Sequence, residues 1–287
     1  MEEEKRVTIE IDGVEFTFRP DKAFERNGHG YCKKCGERID GSPVGGFKGF
    51  THSFIYHRQC RCGREDEERR KKEEEKAVEI RRLKEECFRT SRNLMECSFE
   101  DILEPEREEV MIAMNFVKHF RELSKSNCGL LFHGNVGTGK TYLAACIGNN
   151  VIEEYMVRVK MRNIPQIVNE IEKGGFKIDK NAYYQGLANV RLLILDDFGI
   201  ERNTKYVNEM VYQIINSRYE TKKPTIILTN IPLEVIMGGS KDIDKERIYS
   251  RIREMCIPVK IAGKDLRREL GKDKLRATKN LLLVEDR

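Results

Sequence analysis

At 287 residues the chain has room for one full α/β domain and a smaller module. Charged residues make up 35% and hydrophobic ones 39%; the charged excess sits mostly in one block, so a normal core is expected elsewhere, and the net charge of +5 is compatible with nucleic acid without indicating it. An odd count of nine cysteines and no signal-peptide pattern at MEEEKRV argue for a reducing cytoplasm rather than a disulfide framework, and no apolar run approaches the roughly 18 residues of a membrane span.

Val7–Ile11 and Val14–Phe18 alternate in character around Asp12-Gly13, which predicts a hairpin closed by a tight primed turn. Residues 31–63 follow, rich in glycine and poor in aliphatic side chains. They carry Cys32-x2-Cys35 before Gly36 and, 24 residues later, Cys60-x-Cys62, with His57 just ahead of it. Four thiolates suit tetrahedral Zn²⁺, and knuckle spacing lets backbone N–H groups support the sulfurs. A segment with so little core needs such a staple, because metal binding then supplies folding free energy. The expected ligands are Cys32, Cys35, Cys60 and Cys62; the alternative set replaces Cys62 with His57. No thioredoxin-like unit surrounds the pair, so a redox role is not expected. Cys87, Cys97, Cys128, Cys146 and Cys256 lie in apolar or helical contexts and read as packing residues, and His29, His52, His119 and His133 show no partner.

Of the 23 residues 64–86, 19 are charged. Acid precedes base by four positions in Glu65/Arg69, Asp66/Arg70, Glu67/Lys71 and Glu68/Lys72, and each such pair is worth about 0.2–0.5 kcal/mol to an exposed helix. The stretch predicts a solvated connecting helix whose apolar residues (Ala77, Ile80, Leu83, Cys87, Phe88) gather at the far end. A partner-binding coiled coil is the alternative, but no heptad is sustained.

From Cys97 the composition becomes that of a globular domain. Residues 106–123 read as one amphipathic helix. Strands are expected at 130–133, 157–161, 192–195, Thr225–Thr229 and 256–261, with helical patterns between them. This alternation predicts a parallel sheet covered on both faces. The expected domains are a hairpin plus zinc module over 1–63, a charged linker helix over 64–96 and an ATPase domain over 97–287.

Residues 134–141 read Gly-Asn-Val-Gly-Thr-Gly-Lys-Thr, a G-x-x-x-x-G-K-[ST] phosphate loop between a buried strand and a helix start. Glycines let backbone N–H groups turn inward to phosphate oxygens, and the helix N-terminus adds positive potential there. Gly134, Asn135, Val136, Gly137, Thr138, Gly139, Lys140, Thr141 and Tyr142 are therefore the expected nucleotide contacts. Lys140 reaches the β- and γ-phosphates and the Thr141 hydroxyl ligates Mg²⁺. In LLILDDFG, two carboxylates close an apolar strand at its C-terminal end, where α/β sheets bind ligands. Asp196 is placed to hold Mg²⁺, and Asp197 to orient or deprotonate an attacking water. Asn230 ends a third apolar strand, where a polar side chain reaches the γ-phosphate or the lytic water. Arg247, Arg251 and Arg253 crowd the short basic helix ERIYSRIREM, where one can serve as an arginine finger to a neighbouring subunit.

GLLFHGNVGTGKTYLA, LLILDDFG, INSRYETKKPTIILTN and ERIYSRIREM, in that order, resemble an AAA+ ATPase of the DnaC/DnaI helicase-loader and IstB group over about residues 99–261. The resemblance implies that Asn230 is sensor 1 and Arg251 the arginine finger of the Ser-Arg-Ile element, with Arg247 the second candidate. Asp197 departs from the glutamate usual in AAA+ proteins, so a weak ATPase, stimulated by DNA or a partner, is implied. After Ile261 only one further apolar patch remains, residues 281–284, which implies a P-loop AAA+ core without a lid domain. It further implies ATP and Mg²⁺ as cofactors beside Zn²⁺, a DnaB-like replicative DNA helicase gripped by the N-terminal module, single-stranded DNA bound by the core, and self-association through the ATP interface. Related initiators and loaders line their DNA channel with an element placed near residues 164–189; here Lys173, Lys177 and Lys180 can track phosphates while Tyr183 and Tyr184 stack on bases. Two other readings keep the core: an IstB-like ATPase assisting a transposase, and a non-hydrolysing, nucleotide-dependent adaptor.

Overall fold

The computed structural model describes residues 6–44, 53–89, 91–174, 179–199 and 204–282. The chain divides into two compact units, Met1–Val78 and Glu79–Arg287.

In the first unit, β1 (Val7–Ile11) and β2 (Val14–Phe18) pair antiparallel with Ile11 opposite Val14. Asp12 (φ 51°) and Gly13 (φ 78°) are both left-handed, as a primed two-residue turn requires. A second hairpin, β3 (Ala23–Arg26) and β4 (His29–Cys32), turns the same way through Asn27 and Gly28. A third pair joins β5 (Asp40–Val44) to β6 (Phe54–His57). Ile11, Phe16, Phe18, Ala23 and Ile55 form the unit's small core. The buried Asp40 carboxylate ties the hairpins together: it accepts from the Gly30 N–H at 2.7 Å, from His29 Nδ1 at 3.0 Å and from Arg38. His29 thus has a partner that sequence alone did not show.

Helix α1 (Arg61–Cys87) begins in the first unit and ends in the second. Of the four pairs expected on it, Glu67–Lys71 forms at 3.8 Å. The arginines choose differently: Arg69 reaches Asp66 and Glu73, and Arg70 reaches Glu67 and Glu74. A long guanidinium stem serves neighbours one turn away in either direction, so the acid-before-base register alone did not decide the pairing.

The second unit is a five-stranded sheet between two helical layers. Its elements are α2 (Glu108–Lys118), α3 (Phe120–Lys125), β7 (Gly129–His133), α4 (Lys140–Tyr155), β8 (Val159–Asn163), α5 (Ile164–Gly174), α6 (Lys180–Ala188), β9 (Leu192–Phe198), α7 (Lys205–Thr221), β10 (Thr225–Thr229), α8 (Leu233–Met237), α9 (Ile243–Met255), β11 (Cys256–Lys260) and α10 (Leu266–Leu282). The strand order is β11-β7-β10-β9-β8, all parallel. Successive strand residues face opposite layers: Leu192 and Ile194 pack with α2 and α4, while Leu193 and Leu195 pack with α5, α7 and α9. Strands buried on both faces read as the continuous apolar runs seen in the sequence. The helix expected over 106–123 is broken at His119 (φ −104°, ψ 21°) into α2 and α3. One helix, α10, follows β11 among the described residues, and residues 283–284 of the expected apolar patch lie outside them.

Connections from β7 lead towards β8, and those from β10 lead to β11 on the other side of β7. The C-terminal ends of β7 and β10 therefore flank the switch point of the sheet, where such folds place a ligand crevice.

Candidate functional site

The phosphate loop leaves β7 at Gly134 and enters α4 at Lys140. Gly137 (φ 81°) and Gly139 (φ 94°) are left-handed, and Gly139 caps the helix. Thr138 is buried and its hydroxyl donates to the Asn135 carbonyl at 3.0 Å, which tightens the turn. Val136 is exposed at the crown. Lys140 is buried, and its ammonium donates to the Gly134 carbonyl at 2.8 Å and the Asn135 carbonyl at 2.6 Å. Burial holds this ammonium below the ordinary lysine range, against the pull of Asp196 and Asp197. Tyr142 lies in the first turn of the helix, but its hydroxyl donates to the Ser98 carbonyl at 3.1 Å and so fastens α4 to the segment before α2.

Asp196 and Asp197 sit where β9 slips in register against β10: Ile227 is opposite Leu195, yet Thr229 is opposite Phe198. The extra residue is a bulge, and Asp197 takes a left-handed conformation (φ 56°). The bulge aims the two carboxylates apart. Asp196 accepts from the Thr141 hydroxyl at 3.0 Å and from the Asp197 N–H at 2.8 Å. Burial, then the Asp197 charge, raises the Asp196 pKa from its ordinary value. Asp197 instead accepts from the Asn163 amide at the end of β8. A cavity of about 90 Å³ borders Asp196 but not Asp197, its wall shared by the polar Thr141, Arg162 and Asn163 and the apolar Phe88, Leu94 and Met161. Asn163 was missed in the sequence: its strand, VKMRN, carries Lys160 and Arg162 and is not the apolar run that drew attention to Asn230.

Asn230 follows β10, and its buried Oδ1 has no hydrogen-bond partner among the described residues. Arg251 is half-buried on α9. Its guanidinium lies 4.9 Å from the Tyr212 ring centre and 5.5 Å from that of Tyr219, and donates to the Tyr212 hydroxyl at 3.2 Å and the Arg247 carbonyl at 3.1 Å. Arg253 is engaged within the fold, pairing with Glu246 and donating to the Ile236 carbonyl at 2.8 Å, whereas Arg247 is exposed.

The expected aromatic DNA platform is corrected. Tyr184 is buried in the core and offers no free ring face, while Tyr183 is partly buried against the same core with its hydroxyl donating to Glu170 at 2.6 Å. Lys173 and Lys180 are exposed, and Lys180 lies over the exposed Tyr206 ring at 5.1 Å. Lys177 lies outside the described residues, as does His52.

In the first unit the ligand atoms of Cys32, Cys35, Cys60 and Cys62 lie within 4.8 Å of one another. The Cys60 and Cys62 sulfurs are 3.3 Å apart, and those of Cys32 and Cys62 3.5 Å. Four sulfurs about 2.3 Å from one tetrahedral ion stand about 3.8 Å apart, so the cluster fits Zn²⁺. The Glu37 N–H lowers the Cys35 pKa to about 6, and the Cys35 N–H lowers that of Cys32. The other two move up, Cys60 by burial and Cys62 by its neighbour Cys60, because four adjacent thiols cannot all ionise without a cation. The alternative ligand His57 is turned elsewhere: its Nε2 donates to the Thr17 carbonyl at 2.9 Å and its ring packs on Phe16.

A strand–loop–helix phosphate cradle, an acidic neighbouring strand and this strand order define an ATP-binding protein of the AAA+ class. A profile described as IstB-like ATP binding protein matches residues 63–273, and the chain belongs to that family. Over 160 residues it is 31% identical to the replicative helicase loader DnaC of Escherichia coli (strain K12), covering 53% of this chain and 63% of that protein. The DnaC of Buchnera aphidicola subsp. Baizongia pistaciae is 28% identical over 166 residues, or 55% of this chain and 64% of that one. The chain thus spans less than two thirds of these relatives' length. Among solved structures, a DnaC helicase loader superposes with a TM-score of 0.52 at 25% identity, covering 59% of this chain and 99% of that one. DnaI shares the fold, with a TM-score of 0.50 at 23% identity over 61% of this chain and 92% of that one. No described helix is long and apolar enough to cross a membrane.

Proposed function

We propose that this protein is an ATP-dependent loader of a DnaB-like replicative helicase. The observation that carries the proposal is the 31% identity to a helicase loader over 160 residues. In this reading the amides of residues 134–142 and the start of α4 hold the phosphates of ATP, and Lys140 neutralises part of their charge. Thr141 and Asp196 hold Mg²⁺, which neutralises charge on the transferred phosphoryl group. The raised Asp196 pKa supports this, since a buried carboxylate pushed towards protonation gains most from a cation. Asp197 orients the attacking water, with Asn163 fixing its carboxylate. Asn230, with an unsatisfied buried oxygen, senses the nucleotide. Arg251 reaches the ATP of a neighbouring copy, so that ATP assembles subunits and hydrolysis releases them.

Residues 1–63, stapled by Zn²⁺ on Cys32, Cys35, Cys60 and Cys62, grip the helicase. Residues 64–96 link this module to the motor, and residues 97–287 bind ATP and single-stranded DNA in the cytoplasm, with weak hydrolysis stimulated by DNA or the helicase. Retention of a replicative hexameric helicase on immobilised protein tests this: ATP should strengthen capture by wild type, and Lys140→Ala should lose both nucleotide binding and that response. Metal-replete protein with no affinity for ATP or ADP would refute the motor reading.

The family match favours a second reading, an IstB-like ATPase assisting a transposase. Preference for duplex over single-stranded DNA would select it. Absence of turnover despite tight ATP binding, with and without DNA, would instead mark a nucleotide-dependent adaptor.

A further inference from the structure

Helix α10 begins on the phosphate loop. The Leu266 N–H donates to the Gly137 carbonyl at 3.0 Å. The Asp265 carboxylate packs on the same residue, filling the space beside its α-carbon: a Cβ built on Gly137 would lie 2.0 Å from Asp265 Oδ1. Asp265 also caps α10, accepting the Arg268 N–H at 3.2 Å. Upstream the segment is anchored. The Ile261 N–H donates to the His133 carbonyl at 2.8 Å, which prolongs the sheet, and Arg107, paired with the buried Glu109, donates to the Ala262 carbonyl. Between anchor and loop lies Gly263 at φ 141°, a conformation open to glycine and little else. A negative charge is therefore held against a loop whose amides are arranged to receive anions.

We propose that Asp265 is an autoinhibitory latch on the nucleotide site: its carboxylate opposes polyphosphate binding at Gly137, and nucleotide entry swings the start of α10 away about Gly263. This rests on the nucleotide reading given above and adds to it an output, since the C-terminal helix then reports occupancy of the loop. Like unit charges about 6–8 Å apart in a half-solvated cleft weaken binding by about tenfold. Asp265 is solvent-exposed, so it tunes affinity without closing the site.

Asp265→Asn separates charge from structure, because asparagine keeps both the size and the capping ability of aspartate. Fluorescent ADP is titrated into wild type and D265N at low salt and at about 0.5 M salt, and amide exchange at Leu266 is followed with and without ADP. D265N should bind ADP about tenfold more tightly at low salt, the advantage should shrink at high salt, and ADP should strip protection from the Leu266 amide. Equal affinities overturn the latch, as does Leu266 protection that ADP leaves unchanged or raises. Failure of both proteins to bind ADP would instead sink the nucleotide reading, and the latch with it.

Discussion

Arg251 offers the sharpest separation of structural from catalytic effects. The guanidinium rests between the Tyr212 and Tyr219 rings with two hydrogen bonds, all within one chain. Cation–π contacts at half-exposed positions are worth about 0.5–1 kcal/mol each, and a net hydrogen bond adds about as much. Arg251→Ala should therefore cost about 2–4 kcal/mol, lowering the melting temperature by roughly 4–16 °C in a unit of this size. That leaves most of the usual 5–15 kcal/mol, so folding and ATP binding should survive. A finger acting on a neighbour's phosphoryl group contributes a factor of about 10³ or more to turnover. The assay is phosphate release by Lys140→Ala, by Arg251→Ala, and by their equimolar mixture, with DNA present. Each variant alone should be inactive. In the mixture, the Lys140→Ala copies lend Arg251 to Arg251→Ala copies that still bind ATP, and turnover should return in part. Full turnover by Arg251→Ala alone, or no recovery on mixing, would refute the trans assignment and leave Arg251 as a packing residue.

Asp196→Asn should stabilise the metal-free protein near neutral pH while abolishing Mg²⁺-dependent activity. The folded pKa is raised above the unfolded value of 3.8, so wild-type stability falls as pH climbs through that interval and stays reduced above it. The variant's thermal advantage should vanish in acid, and an advantage independent of pH would contradict the linkage. Chelation or Cys35→Ser should release about one zinc per chain and expose the β3–β4 amides to exchange, because structural zinc contributes on the order of 10 kcal/mol of folding free energy; unchanged metal content and protection would remove the site. Arg218→Leu should destabilise the ATP-binding unit by about 3–5 kcal/mol in denaturant melts. It strips a fully buried guanidinium from the carbonyls of Ala188, Val190 and Pro224, and a loss under about 1 kcal/mol would show that the site relaxes.

What was readable in the chain is what depends on neighbours in sequence. The phosphate loop is contiguous because backbone amides can converge on one anion only from successive residues, and Asp196 follows from the same strand-end rule. Cys32 and Cys35 were legible as half of the four-sulfur cluster because a knuckle closes within four residues. Doubly buried parallel strands show as apolar runs wherever they fall. The Asn27-Gly28 hairpin carried an equally local signal that was passed over. What tertiary structure alone decided is which distant polar groups meet. Asn163 holds Asp197 because β8 lies beside β9 in the sheet, and a bulge sets the angle. Asp265 presses on Gly137 because β11 flanks β7 and delivers α10 to the loop. Tyr184 turns inward and Arg251 is clasped by tyrosines because helix packing, rather than residue type, chooses the buried face. Side-chain chemistry names the candidates; strand order and register assign their partners, and neither leaves a mark in any short window of sequence.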